Sequence, residues 1–479
     1  MNIFHCTKLY LAQTTPFFVA VLFLLSHAHG DDIQKQIDAL RKQLLEMEEN
    51  TSGMREELDD LKSKNQDWLT EERAEEFRLL VQDLLADADS RASLVGDGLL
   101  GGWSNGFFLA SSDGRFKLNI GGLVQERYMQ SYVRVGLQGG ADRWRGGLEN
   151  SRTRLNISGH IFDKNLTFLF QPGFGYLDPH AISNSPLLRI GARFWDAWVK
   201  YKINDEWSAK LGTFMLPFTK ESLIPDTRQL AVDRSLLDYR LGLGRSTGIQ
   251  FTWLRDGTRV FLSTSNGALP LRGLEQIENP TPPWAALSED TDWSVTARAE
   301  FLLEGEWSQF NQFTSLPGSQ RARMLGIAFH AQNQERGTNS GASADHIGLT
   351  ADYSMNFDGA SFFVSGTFHN IKNFVSQVTN TDMIGYTIQG SQYISDDTEL
   401  FMRYAGGGPI QDQDLGGQAQ ILTSGANWYI DGHQFKVTSD LGWSFGEISS
   451  VLANQMLGWR GSPNRNAEWV LRAQLQLEF

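Results

Sequence analysis

One cysteine, Cys6, occurs among 479 residues, which excludes a disulfide scaffold and a cysteine-built zinc site. Positive charge is the scarcer sign: 42 Lys and Arg stand against 56 Asp and Glu, a formal net charge of −14. That balance argues against nucleic acid as a partner, because phosphate backbones call for a basic surface. Beyond the first thirty positions no run of about 18 apolar residues exists, the length a membrane helix needs. The exported chain is therefore either soluble or crosses a membrane as β-strands, which hydropathy does not register. Phosphate-cradling Gly-x-x-x-x-Gly-Lys and metal-binding His-Glu-x-x-His motifs are missing as well. The nine histidines, three of them before residue 31, show no metal-ligand spacing, so no metal or other cofactor is implied. Gly102 to Gly106 fits Gly-x-Ser-x-Gly, but no buried strand leads into it and no helix follows, as a nucleophile elbow requires.

What the chain does have is 47 Gly, 14 Trp and 30 Phe, too many aromatics for a long disordered polypeptide. Its length exceeds a single ordinary soluble core, which stops growing near about 250–300 residues. Residues 1–30 read as a signal peptide: Lys8, the apolar run Pro16 to Leu25, then the small residues Ala28 and Gly30. An uncleaved anchor is the alternative. Cleavage would remove Cys6 and leave a mature chain without a thiol.

Residues 31–68 change character. Ile33, Ile37, Leu40, Leu44, Met47, Met54, Leu58, Leu61 and Trp68 follow a 4,3 spacing if Thr51 and Asn65 occupy two seam positions. An apolar seam every 3.5 residues needs a partner helix, so this segment predicts a coiled-coil stalk. Residues 69–95 predict a second helix and linker, with Thr70 as N-cap and Phe77, Leu80, Val81, Leu84 and Leu85 on one face. A single-chain helical hairpin is the competing arrangement. Residues 31–90 carry 8 basic and 18 acidic side chains, so most of the net charge belongs here and residues 91–479 keep only −5.

After Gly96 the period becomes two. Phe116, Leu118 and Ile120 alternate with polar neighbours, as do Leu155, Ile157 and Ile161, then Trp195, Ala197, Val199 and Tyr201, then Val295, Ala297 and Ala299. Roughly sixteen such segments fit between residues 115 and 479. Many have nine to eleven residues, which spans a bilayer at a tilt. Trp195, Tyr201, Trp207, Trp253, Trp428, Tyr429 and Trp469 fall near segment ends, where an interfacial girdle would sit. The expectation is an all-β fold: an antiparallel transmembrane barrel of about sixteen strands over residues 105–479, after an α-helical coiled-coil segment. A secreted β-sandwich is the alternative. Trp469, Leu471, Ala473, Leu475, Leu477 and Phe479 alternate to the last residue, which resembles the terminal strand of outer-membrane barrels.

Several stretches resemble the phosphate-selective porin O and P family. Gly212 to Glu221 reads Gly-x-Phe-x-x-Pro-Phe-x-x-Glu, and Asp233-Arg-Ser-Leu236 follows where the family has Glu-Arg-Ser-Leu. Asn150 to Leu155 with Gly159, Arg193 to Trp198, Arg245 to Phe251 and Leu471 to Phe479 add to the likeness. The resemblance implies a sixteen-stranded trimeric channel in outer-membrane lipid, passing phosphate or other small anions through a constriction made by an inward-folded loop. The non-alternating segment 215–245 is the candidate loop. It carries Lys220, Arg228, Arg234, Arg240 and Arg245 against Glu221, Asp226, Asp233 and Asp238.

Cations along the path select anions, and arginine offers a planar fork that stays charged. Arg152 and Arg154, two apart on one strand, point to the side opposite Leu155 and Ile157, hence to a lumen; Arg127, Arg193 and Arg298 join them if the register holds. The competing reading is that these arginines pair with acids to brace a loop. Three functions follow: a porin for passive anion diffusion, a structural tether joining the barrel to the cell wall or periplasm through its stalk, and a barrel enzyme such as a lipase.

Overall fold

A computed structural model describes residues 99–103, 106–133, 144–175, 193–268, 290–336, 342–372, 380–410, 418–446, 448, 452–461 and 468–479. The expected signal peptide, coiled coil and second helix fall in residues 1–95, outside the described residues.

Eighteen strands occur among the described residues. Two short ones, β1 (Leu99–Trp103) and β2 (Phe107–Ser111), come first. The next eight are β3 (Lys117–Val133), β4 (Trp144–His160), β5 (Leu166–Gly173), β6 (Arg193–Lys202), β7 (Trp207–Met215), β8 (Arg245–Arg255), β9 (Thr258–Ser265) and β10 (Asp290–Glu304). The last eight are β11 (Ala322–Arg336), β12 (Ala342–Phe357), β13 (Ala360–Lys372), β14 (Asn380–Tyr393), β15 (Thr398–Pro409), β16 (Ala419–Asp431), β17 (Phe435–Ser444) and β18 (Glu468–Glu478).

From β3 to β18 each strand pairs antiparallel with the next, and β18 returns to β3, with Glu468 opposite Val133 and Glu478 opposite Leu123. The sheet is a closed sixteen-stranded barrel, as the alternation predicts, and closure leaves the wall without an edge. β2 pairs with β3 at Lys117–Ile120, beyond the end of β18 on the same side, and β1 pairs with β2. Between them sits the last residue: Phe479 exchanges backbone hydrogen bonds with Gly122 at 2.7 and 3.0 Å. A Cβ at Gly121 would stand 2.5 Å from the Phe479 carbonyl oxygen, so only glycine allows this approach.

The wall inverts the order of a soluble protein. Along β18, Leu471, Leu475 and Leu477 are exposed, while Arg472, Gln474 and Gln476 between them are buried. Ile249 and Phe251 of β8 lie outside and Ser246 and Gln250 inside. An apolar exterior around a polar interior suits hydrocarbon outside and water or polar protein within. Tyr201, Trp207 and Trp428 belong to the exposed face, in keeping with the expected girdle. Two of its members do not. Tyr429 faces inward, donating to Glu399 at 2.5 Å, because it is one residue out of phase with Trp428. Trp195 is the extra residue of a bulge, since Gln171 pairs with Asp196 and Pro172 with Phe194, and it lies against Arg154 and Arg245. A single inserted residue is enough to reverse facing in a period-two pattern.

Candidate functional site

Between β7 and β8 the chain leaves the sheet for residues 216–244. Its two short helices, α1 (Lys220–Leu223) and α2 (Leu236–Leu241), are capped by Thr219 and Ser235, whose hydroxyls accept from Ser222 N and Asp238 N. This segment touches strands all around the barrel, which places it inside. Asp233 pairs with Arg127 of β3 and, at 2.5 Å, with Arg152 of β4. Arg298 of β10 donates to the Phe218 carbonyl at 2.8 Å. Arg403 of β15 donates to the Asp233 carbonyl at 2.9 Å, Asn427 of β16 to the Leu230 carbonyl at 3.0 Å, and Gln476 of β18 to the Thr227 carbonyl at 3.3 Å. Asp440 of β17 accepts from Val232 N at 2.9 Å.

Apolar contacts complete the seat. Leu236, Leu237 and Leu241 pack with Ile371, Met383 and Trp459, while Ile224 and Leu230 pack with Phe313, Phe363 and Phe401. Phe218 is buried beside His330 and His369, with ring centroids 6.4 and 5.4 Å away. His346 Nε2 lies 2.6 Å from His369 Nδ1. Among the described residues no group of three or more His, Cys, Asp or Glu is arranged to hold a metal ion.

Apart from Arg193, the arginines singled out in the sequence each have a partner here. Arg154 reaches Asp226 at 2.7 Å, and Arg152 reaches the same carboxylate at 3.6 Å in addition to Asp233. Arg127 pairs with Glu149 as well as Asp233. Arg234 closes on Asp226 and donates to the Ile224 carbonyl at 2.6 Å. Arg245 holds Asp196 at 2.9 Å, Arg228 holds Glu478 at 2.9 Å, and Arg240 donates to the Leu452 carbonyl at 3.1 Å. Lys220 stands 3.8 Å from Glu300. Arg193 opens β6 opposite Gly173.

Charge within the segment is set by these neighbours. Burial alone would raise the carboxyl of Asp226, but Arg234, Arg152 and Arg154 outweigh it and hold the group well below the usual range. Glu221 goes the other way: burial, then the nearby Asp238, push it up to about 7 against the pull of Arg403. Burial lowers Lys220 to about 8 despite Glu300.

Two cations that sequence reasoning passed over face the interior without an ion pair among the described residues, Asp196 acting on Lys210 from further off. Lys200 of β6 and Lys210 of β7 stand directly opposite each other, flanked by the exposed, outward Val199, Tyr201 and Leu211. Lys210 Nζ lies 5.2 Å from the ring centroids of both Trp198 and Phe214. Their common facing was legible from alternation; their lack of an ion pair needed the neighbouring strands.

A closed barrel of this size, apolar outside, polar inside and partly filled by one of its own connections, has the architecture of outer-membrane porins. Residues 146–358 match the family Phosphate-selective porin O and P, bearing out the resemblance carried by the motifs. No curated protein sequence matches the chain. Among solved structures, an anion-selective porin from Comamonas acidovorans is similar at 14% identity, over 76% of this chain and 99% of that one, with a TM-score of 0.51. The outer membrane channel DcaP of Acinetobacter baumannii is 12% identical over 79% of this chain and 100% of its own, with a TM-score of 0.49. At such identities the likeness is one of fold.

Proposed function

We propose that this porin conducts phosphate and other small anions passively, through a constriction bounded by residues 216–244 and the cationic wall facing them. The observation that carries the reading is the Lys200–Lys210 pair. Most inward arginines are tied to carboxylates, so their field is largely cancelled, whereas these two ammonium groups make no ion pair among the described residues and only the more distant Asp196 acts on Lys210. Two neighbouring cations against one carboxylate leave a net positive wall that raises the local concentration of anions, and flexible lysines hold an anion weakly enough to release it. Arg152, Arg154, Arg127, Arg193, Lys220, Arg228, Arg234, Arg240 and Arg245 are the proposed lining of the same path, in which acids fix the guanidinium positions.

Residues 1–30 direct export in this reading, residues 31–68 join three copies through their heptad seam, and the stalk stands in the periplasm. Conductance of the purified protein in planar bilayers tests the central claim. Under a KCl gradient the reversal potential should report preference for chloride over potassium, and phosphate should reduce the chloride current. Cation preference, or no channels, would overturn it.

A further inference from the structure

We propose that the cleft between β6 and the in-folded segment recognises monovalent organic anions with a flat apolar body, with aromatic carboxylates as the fitting class. The proposal rests on the porin reading above and names what that pore prefers.

Trp195, Met215, Tyr239, Leu457, Arg152 and Arg245 line the cleft, which is partly open to solvent. The Trp195 ring lies 4.0 Å from the Arg154 guanidinium carbon and 4.2 Å from that of Arg245. Its indole Nε1 is buried and donates to no acceptor among the described residues. A buried donor without a partner is a cost that a ligand oxygen would relieve. Arg245 directs Nε and Nη2 to one oxygen of Asp196, at 3.1 and 2.9 Å, and its Nη1 has no acceptor among the described residues. Two donors on neighbouring groups are thus available to one carboxylate, and a charged acceptor makes such hydrogen bonds strong.

The rest of the wall decides the class. A compact, strongly hydrated inorganic ion gains nothing from Trp195, Met215, Tyr239 and Leu457, whereas a phenyl ring gains by burying their surface and its own. Asp233 and Asp238 also border the cleft. Asp233 is held by Arg127 and Arg152, and Asp238 accepts from the Thr219 and Ser222 hydroxyls. Both carboxylates are thus engaged, and Arg152, Arg234 and Arg245 line the same cleft, so discrimination against phosphate rests on the apolar wall.

Current block in planar bilayers, with the full protein and with benzoate or inorganic phosphate added, tests this. Benzoate should half-block the chloride current at a concentration about tenfold below that of phosphate, the scale of one aromatic contact with an ion pair. Trp195→Ala should raise the benzoate value about tenfold and leave phosphate within about twofold. Trp195→Phe, which keeps the ring and removes the N–H, guards against misfolding of the alanine variant and should give an intermediate value. Phosphate blocking as well as benzoate, or benzoate block unchanged in both variants, would overturn the proposal while leaving an anion-selective porin. Absence of channels or cation preference in the unmodified protein would overturn both.

Discussion

Arg298 and Asp352 form a two-pronged ion pair across the inner wall, Nη1 to Oδ2 at 2.7 Å and Nη2 to Oδ1 at 2.9 Å, while the same Nη1 holds the Phe218 carbonyl. The pair therefore fixes where the in-folded segment leaves β7. Arg298→Met should strand Asp352 as a buried charge, while Glu300 keeps Arg259 and Lys220, a loss of about 3–5 kcal/mol when one partner is removed. A lower unfolding temperature, together with noisier single-channel current, is the expected result. An unchanged melting curve would show that the segment is held elsewhere.

Asp233 joins Arg127 of β3 to Arg152 of β4. Asp233→Asn removes the negative charge and keeps the shape, so both guanidiniums act on the pore more fully. The chloride-to-potassium permeability ratio from reversal potentials should rise. A fall would mean that the two arginines face away from the ion path.

Lys200 and Lys210 are the test of where selectivity resides. Replacing both with Ala should lower anion preference, and replacing both with Glu should reverse it. The effect should fade in molar salt, where screening reaches only about 3 Å. Selectivity unmoved by either change would assign it to the arginines.

Glu221 and Lys220 give the segment a pH dependence near neutrality. Glu221, raised to about 7, binds more protons folded than unfolded, so its contribution to stability is full below its unfolded value and is lost as pH rises through 7. Lys220, lowered to about 8, binds fewer protons folded than unfolded above that value, so its contribution grows with pH toward its unfolded range and is lost as pH falls through 8. In net charge the two act together: from pH 6 to 9 the segment loses positive charge, and anion preference should decline. Glu221→Gln should remove the lower part of that titration; a reversal potential flat from pH 6 to 8 in the unmodified protein would contradict it.

The barrel was legible because its rule is local. Alternation in β18 needs only eleven consecutive residues, and sixteen repeats of the pattern give closure. The in-folded segment was legible by contrast, as the stretch 215–245 where alternation stops. Partnership was not. Nothing near Arg152 in sequence indicates that Asp226 and Asp233, more than seventy residues later, will meet it, because that contact depends on how the segment lies across the lumen. Trp195 and Tyr429 were misassigned to the girdle for a related reason: period-two reading fails at a bulge and at any unnoticed phase change. The three clustered histidines sit on β11, β12 and β13, and only the register between strands brings them together.

The in-folded segment also spans the seam where β3 meets β18. On one side Asp233 takes Arg127 and Arg152; on the other Thr227 takes Gln476 and Val232 takes Asp440. Closing the wall means joining ends such as Gln125 and Gln476, hydrogen-bonded at 2.8 Å across 351 positions of chain. The entropy of bringing chain ends together grows with the length between them, so contacts from mid-chain to both sides of the seam divide one long closure into two shorter ones. In the closed barrel the segment is therefore a cross-tie between the first and last walls.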